Sequence, residues 1–523
     1  MRAVTGQVSR REVLLGTAAL GAVSVLGTPG CVEATPQNPL AAADGRRLFT
    51  LGVASGEPLP GSVVIWTRLA PDPLGGGGMP PEPVRVRWEV AADEAMRKVV
   101  KRGTATARPE FAHSLHVEVM GLEPHRWYWY RFDAGGEASP VGRTRTAPSA
   151  GAGLDRFRLA FTSCQNYQHG YFTAYRHLAA EDLDLVVHLG DYIYEGRVRR
   201  NKVRRHNSGD CETLADYRNR YALYKLDPDL QAAHAAFPWY AVSDDHEVRN
   251  DYANDRDSDP GMDRAAFLRL RAAAYRAYYE HMPFRAAQRP VGPTMRLYRA
   301  GTMGDLIDLN LLDTRQYRTH QPCAVKWDER CAGTMDAGAT MLGAAQEAWL
   351  GARLHRGAAR WTVLAQQVPM MRRMRMSRGA ALYNMDKWDG YVAARARLLA
   401  AVRALRPDGL IVLSGDVHAA WAGTLRQDFG DPASPALGTE FVGTSIASGG
   451  DGRAMRPRAR RILAANPDIV FHDGRRGYTR CEVTRQTWRS DYRVLDYVTR
   501  PGAPMETAAS FTIAHGHPGA EPT

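Results

Sequence analysis

The sequence predicts an α/β chain: a layered domain of buried strands and helices, preceded by a small all-β, fibronectin-like sandwich. Three observations lead there. Residues 48–146 alternate apolar and polar in short runs split by Gly and Pro, the pattern of half-buried strands. After the segment TAPSAGAG (146–153) the runs become continuously apolar, as in strands covered on both faces. Between them lie Ala-, Leu- and Arg-rich stretches, at 262–282 and 390–406, that read as helices. With 523 residues and 44% hydrophobic content, a disordered or collagenous chain is excluded.

Residues 1–43 read as an address. The twin arginine of SRREVLL (9–15) precedes apolar, small-residue sequence to Gly27, the pattern of a Tat-type export signal, with a candidate cleavage site at Ala41-Ala42-Ala43. Gly30-Cys31 is a poor lipoprotein site because Thr28-Pro29 precede it. No periodic apolar face supports a cytoplasmic amphipathic helix instead. Elsewhere no apolar run reaches the roughly 18–20 residues of a membrane span. The expectation is a secreted, periplasmic or cell-wall-associated protein, with the Tat translocon as a transient partner. Chains exported folded often carry a cofactor, so the address points weakly to one. The net charge of +12 becomes +11 without residues 1–43 and favours anionic partners: phosphate esters, anionic lipid or a wall polymer.

The sandwich is expected over 44–148. SVVIWTR (62–68), VRVRWEV (84–90), HSLHVEV (113–119) and HRWYWYRF (125–132) read as strands, the first two joined by the turn-rich PDPLGGGGMPPEP. Leu122 to Tyr128 has the spacing of a corner tyrosine, whose hydroxyl ties the start of its strand to nearby backbone. The layered domain is expected over 149–523, with buried strands in RLAFTS, LDLVVHLG, WYAVS, LIDLNLL, WTVLAQQ and GLIVLSG. Six cysteines are no disulfide framework. Cys323 and Cys331 are close enough to bridge a short loop after export, whereas spacing leaves Cys211 and Cys481 either paired or free.

The chemistry collects just past the ends of five of these six apolar runs. RLAFTS leads into Cys164, LDLVVHLG into Asp191 and Tyr194, WYAVS into Asp244, Asp245, His246, Asn250 and Asp251, LIDLNLL into Asp313 and Arg315, and GLIVLSG into Asp416 and His418. In α/β sheets, sites form at the carboxyl ends of strands. Five strand ends delivering carboxylate, imidazole, thiol, phenol or guanidinium point to one site. Carboxylates suit hard cations, imidazole suits zinc or iron, and a thiolate adds a soft donor. Several carboxylates in one pocket repel, and cations relieve that. A carboxylate such as Asp191 can bridge two ions about 3.5–4 Å apart, an arrangement that hydrolyses phosphoryl esters. The bland readings are an inert buried Cys164, a core Tyr194, a structural His246 or Asp244, and an Arg315 paired with a neighbouring aspartate.

These motifs carry a resemblance. FTLGVASGEP (49–58), SVVIWTRLAP (62–71), FTSCQ (161–165), HLGDYIYE (188–195), SDDHEVRNDY (243–252), LDTRQYRTHQPC (312–323) and SGDVHAAW (414–421) resemble the alkaline phosphatase D (PhoD) family, from about Phe49 to at least Trp421. The resemblance implies a calcineurin/purple-acid-phosphatase-like metallophosphoesterase, a layered metallophosphatase sandwich of two central mixed sheets flanked by helices. It implies ferric iron (Fe3+) held by Cys164, Asp191, Tyr194 and His418. Beside it calcium (Ca2+) is implied on bridging Asp191 with Asp245 and Asp416, and with Asn250 or Asp251. His246 takes the place of the phosphate-facing histidine, and Arg315 is a candidate clamp on phosphate oxygens. Where the family leads us to expect a second asparagine, this chain has Asp251, an extra negative charge that would tighten calcium and repel phosphate.

The function implied is a secreted, metal-dependent alkaline phosphatase or phosphodiesterase, in which activated water attacks phosphorus. A phospholipase D-type phosphodiesterase is the alternative within enzymes, and a non-catalytic cell-wall or polyanion-binding protein the alternative outside them. Two basic runs, RVRRNKVRR (197–205) and MMRRMRMSR (370–378), are either solvated faces or a rim steering anionic substrate. No groove-reading element for sequence-specific nucleic-acid binding is present.

Overall fold

A computed structural model describes residues 47–199, 202–323, 325–357, 359–405 and 409–522. The proposed signal segment 1–43, with its cleavage site and Cys31, lies outside the described residues. Two mixed sheets face each other. The first has ten strands, in the order Glu521–Pro522, Met505–Ala514, Thr487–Leu495, Arg476–Thr484, Arg156–Thr162, Leu185–His188, Pro238–Ala241, Val53–Leu59, Ser62–Arg68, Ser114–Met120. The second has seven: Arg299–Met303, Ile307–Leu311, Trp361–Ala365, Leu410–Ser414, Ala436–Val442, Ala420–Arg426, Ile469–Asp473. Both have a parallel centre and antiparallel flanks.

The continuous apolar runs arise from this layering. In Leu185–His188, Leu185 and Val187 join the core between the sheets, while Val186 joins the core under the helices Thr173–Ala179, Leu214–Lys225, Pro228–Ala236 and Arg264–His281. In Leu410–Ser414, Ile411 and Leu413 face the inner core, and Leu410 and Val412 face the helices Ala344–Arg356, Val392–Leu405 and Pro457–Ala465. Each central strand is thus apolar on both faces.

The N-terminal strands occur where the alternation places them, and Tyr128 Oη accepts a hydrogen bond from the Glu123 amide at 2.9 Å, as expected of a corner tyrosine. One sheet of this region, with strands Val84–Ala91, Val99–Ala107 and Trp127–Ala134 at its heart, packs over Val53, Val63 and Ile65. Its facing strands are not a separate sheet. Val53–Leu59 pairs in parallel with Pro238–Ala241, so the sandwich continues the ten-stranded sheet. Gly56 permits that approach, since a Cβ there would lie 2.6 Å from the Trp239 carbonyl oxygen. Cys323 and Cys331 are disulfide-bonded, and Cys164, Cys211 and Cys481 are free and buried. No helix among the described residues is long and apolar enough to cross a membrane.

Candidate active site

The carboxyl ends of the central strands of both sheets meet. The ten-stranded sheet supplies Cys164 two residues after Arg156–Thr162, Asp191 and Tyr194 after Leu185–His188, and Asp244, Asp245 and His246 after Pro238–Ala241. The seven-stranded sheet supplies Arg315 after Ile307–Leu311, and Asp416 and His418 after Leu410–Ser414. The loops are pinned to each other: the Cys164 amide donates to Gly190 O at 3.1 Å and the Gln165 amide to Asp191 O at 3.1 Å. Gly190, at φ +108°, sits where a Cβ would lie 2.4 Å from that of Asp244. Five of the thirteen non-glycine residues at positive φ among the described residues are candidate ligands: Cys164, Asp191, Asp251, Asp416 and His418. Each such conformation costs on the order of 1–3 kcal/mol and survives where surrounding structure fixes it, a pattern typical of functional sites.

Donor atoms converge in four groups, each within 4.8 Å: Cys164, Asp191 and His418; Asp191, Asp245 and His246; Asp244, Asp245 and Asp416; and Asp245, Asp251 and Asp386. Asp191 belongs to two of them. Tyr194 joins the first, its hydroxyl donating to Asp191 Oδ2 at 2.8 Å and lying 3.0 Å from His418 Nε2. The donor set fits cations. Asp244 Oδ2, Asp245 Oδ1 and Asp416 Oδ2 are buried with no hydrogen-bond partner among the described residues, a costly state unless something positive is bound. Burial and the neighbouring carboxylates, Asp191 first, push the Cys164 thiol well above its ordinary range. Burial and then the Arg476 charge hold His418 well below its own, which leaves a neutral imidazole suited to ligation.

Three more of the residues expected from sequence reach the cavity. His246 lines it, and its Nδ1 lies 2.7 Å from Glu195 Oε2. Burial opposes its charge, but Glu195, Asp191 and Asp245 together raise its pKa well above the usual value. Asn250 is exposed at the cavity edge, its amide donating to Glu195 Oε1 at 2.9 Å. Asp251 also lines the cavity, and Lys326 Nζ lies 2.8 and 2.5 Å from its two oxygens, which offsets the extra negative charge.

Arg315 is not on the cavity wall. It is fully buried behind the carboxylates, Nε donating to Asp244 Oδ1 at 2.6 Å and Nη1 to Asp386 Oδ1 at 2.7 Å, with Asp245 and Asp416 at 3.5 and 3.7 Å. That geometry is the ion-pair reading, not a clamp on substrate. Four carboxylates crowd one place, and the guanidinium occupies it. The run 197–205 is paired in part: the exposed Arg197 meets Asp210 at 2.7 Å and the largely covered Arg204 meets Asp227 at 2.6 Å.

Several residues escaped sequence reasoning. Glu247 is buried and accepts from the amides of Asp191 (3.1 Å), Tyr192 (2.6 Å) and Asp244 (2.8 Å), tying two ligand loops together. Ser448 donates to Cys164 O at 2.7 Å, accepts from the Asn166 amide at 3.0 Å and lies 2.8 Å from Tyr194 Oη. Lys387 Nζ bridges Asp386 Oδ2 at 2.7 Å and Asp416 Oδ1 at 2.5 Å. Glu247 stood inside the DDHE run, a legible signal. Asp386, Lys387 and Ser448 fit no strand-end pattern. The cavity, about 310 Å³, is lined by Asp191, Asp245, Asp251 and Asp416 together with Lys326, Trp327, Arg373, Trp421, Arg456 and Arg458.

Comparison with known proteins agrees with this geometry. The model of the PhoD-like phosphatase family matches residues 159–492, and that of the PhoD-like phosphatase N-terminal domain matches 33–148. Alkaline phosphatase D of Bacillus subtilis (strain 168) is 51% identical over 468 residues, covering 88% of this chain and 80% of that protein. A solved structure of PhoD superposes with a TM-score of 0.89 at 50% identity, covering 92% of each chain. GAP50, the anchor in the inner membrane complex of Plasmodium, is 11% identical with a TM-score of 0.37 over 69% of this chain and 89% of its own, too distant to carry an argument. The chain therefore belongs to the PhoD-like phosphatase family and, with it, to the phosphoric-ester hydrolases.

Proposed function

We propose that Cys164, Asp191, Tyr194 and His418 hold ferric iron, that Asp191, Asp245 and Asp416 with Asn250 or Asp251 hold calcium beside it, and that the chain hydrolyses phosphate mono- or diesters there. The observation that carries this is the convergence of thiol, carboxylates and imidazole within 4.8 Å, with three buried carboxylate oxygens left unpartnered among the described residues. The membership of Asp191 in two donor groups supports its role as the bridging carboxylate. Bound there, the metal pair would supply Lewis acidity, acidifying a water and neutralising phosphoryl oxygens.

The protein's own residues do the rest. Glu195 takes the Nδ1 side of His246, which leaves Nε2 to hydrogen-bond a phosphoryl or leaving oxygen. Lys387 and Lys326, each paired with carboxylates of the site, reduce the negative charge that an anionic ester meets there. Arg315 acts from behind as a positioning residue for Asp244, Asp386, Asp245 and Asp416. The twin-arginine segment supports Tat export to a secreted, periplasmic or wall-associated place, and the Cys323–Cys331 disulfide fits an oxidising compartment.

The Asp191→Ala variant should lose bound metal and activity together. An active, metal-free D191A protein would refute the assignment. Comparing 4-nitrophenyl phosphate with bis(4-nitrophenyl) phosphate separates monoesterase from diesterase, including the phospholipase D-type alternative.

A further inference from the structure

One wall of the cavity carries arginines with no ion pair among the described residues, and Asp389, Asp416 and Glu440 act on Arg373 only from farther off. Arg373 is 9% exposed and lines the cavity. Among the described residues its guanidinium makes no hydrogen bond or ion pair, and its Nε is buried without a partner. It lies over the Trp421 ring, 4.6 Å from the centroid. Burial pulls its pKa down to about 10, so it remains a cation at neutral and mildly alkaline pH. By contrast, the buried Arg395 and Arg318 pair with Asp389 at 2.9 Å and with Asp386 at 2.8 Å, and Arg299 pairs with Glu57. Arg456 and Arg458 line the same cavity, exposed, with no ion pair among the described residues. Arg458 also lies 4.8 Å from the centroid of Trp327, another wall residue.

A buried cation without a partner is costly, and the cost is met when an anion binds. The guanidinium fork matches the oxygens of a phosphate or carboxylate, and adjoining indole faces accept the apolar part of a linker.

We propose that Arg373, with Arg456 and Arg458, forms a second anion subsite that selects phosphoric esters whose leaving group carries a further phosphate. This rests on the assignment of the carboxylate floor to the phosphoryl group under attack. The run 370–378 thereby gains a role through Arg373, whereas Arg197 and Arg204 of the run 197–205 already have carboxylate partners.

Calorimetric binding to the metal-loaded protein tests it, with propane-1,3-diphosphonate against propylphosphonate, and 4-phosphonobutanoate to compare a carboxylate. The parent should bind the diphosphonate at least about tenfold more tightly than propylphosphonate, with the carboxylate between. Arg373→Gln should reduce that ratio to about one to two, Arg373→Lys should restore part of it, and Arg197→Gln should leave it intact. In hydrolysis, the same loss should appear in kcat/KM for propane-1,3-diol bisphosphate relative to propyl phosphate. Equal parental affinity for the mono- and diphosphonates, or a ratio unmoved in R373Q, overturns the subsite alone. Failure of propylphosphonate to bind at all would instead count against the carboxylate floor as the phosphoryl site.

Discussion

Replacing Arg315 by Met asks whether its guanidinium serves substrate or structure. The side chain is fully buried, bonded to Asp244 at 2.6 Å and Asp386 at 2.7 Å, with two more carboxylates within 3.7 Å. Burial opposes its charge, yet these aspartates raise its pKa well above the ordinary value. Removing one partner of a buried charge network costs about 3–5 kcal/mol, because the remaining charges stay buried and unpaired. At about 2.1 cal/mol/K per residue, the roughly 470 described residues give an unfolding entropy near 1 kcal/mol/K. R315M should therefore melt about 3–5 °C below the parent in calorimetry with chelator present. Arg315→Lys, which keeps the charge and loses the fork, should fall between them. Kinetics with 4-nitrophenyl phosphate complete the test. An R315M protein that melts with the parent while its KM rises tenfold would place the guanidinium on the substrate and refute the reasoning.

Two other buried groups give measurable consequences. Glu247→Gln exchanges one acceptor for a donor facing the amides of Asp191, Tyr192 and Asp244. It should weaken metal affinity about 10–100-fold by equilibrium dialysis, since groups orienting ligands have effects of that size, and parental affinity would show that Glu247 does not position the loops. Lys225 is buried, its ammonium 4.3 Å from the Trp66 centroid, and burial lowers its pKa from 10.5 to about 7. Between about pH 7 and 10.5 the unfolded chain holds this proton and the native state does not, so this group makes stability rise with pH across that window. Lys225→Met should stabilise by a few kcal/mol at pH 6, with the gain fading as pH approaches 10.5 in urea titrations. A gain independent of pH would contradict the assignment.

Much of the fold was legible because central strands are covered on both faces. That forces continuous apolar runs such as LVVH and LIVLS, and each run's end marks a ligand loop. What stayed hidden depends on direction or on distant pairing. Sequence gives an arginine after a strand, but whether Arg315 meets a cavity or four carboxylates is decided by loops from both sheets. Asp386 and Lys387 enter from beyond the short strand Ala380–Asn384, not from a buried sheet. The pairing of Val53–Leu59 with Pro238–Ala241 joins segments far apart along the chain, so local alternation could suggest a sandwich but not its continuity with the central sheet. The two basic runs look alike in composition, but Arg197 and Arg204 of the first pair with carboxylates, whereas Arg373 of the second lines the cavity without an ion pair among the described residues.

The most direct test is elemental analysis with a visible spectrum of freshly purified protein. The arrangement of Cys164, Asp191, Tyr194 and His418 predicts bound iron with calcium, and a colour from phenolate or thiolate on ferric iron that Cys164→Ser alters. A colourless, iron-free preparation that still hydrolyses phosphate esters would contradict it.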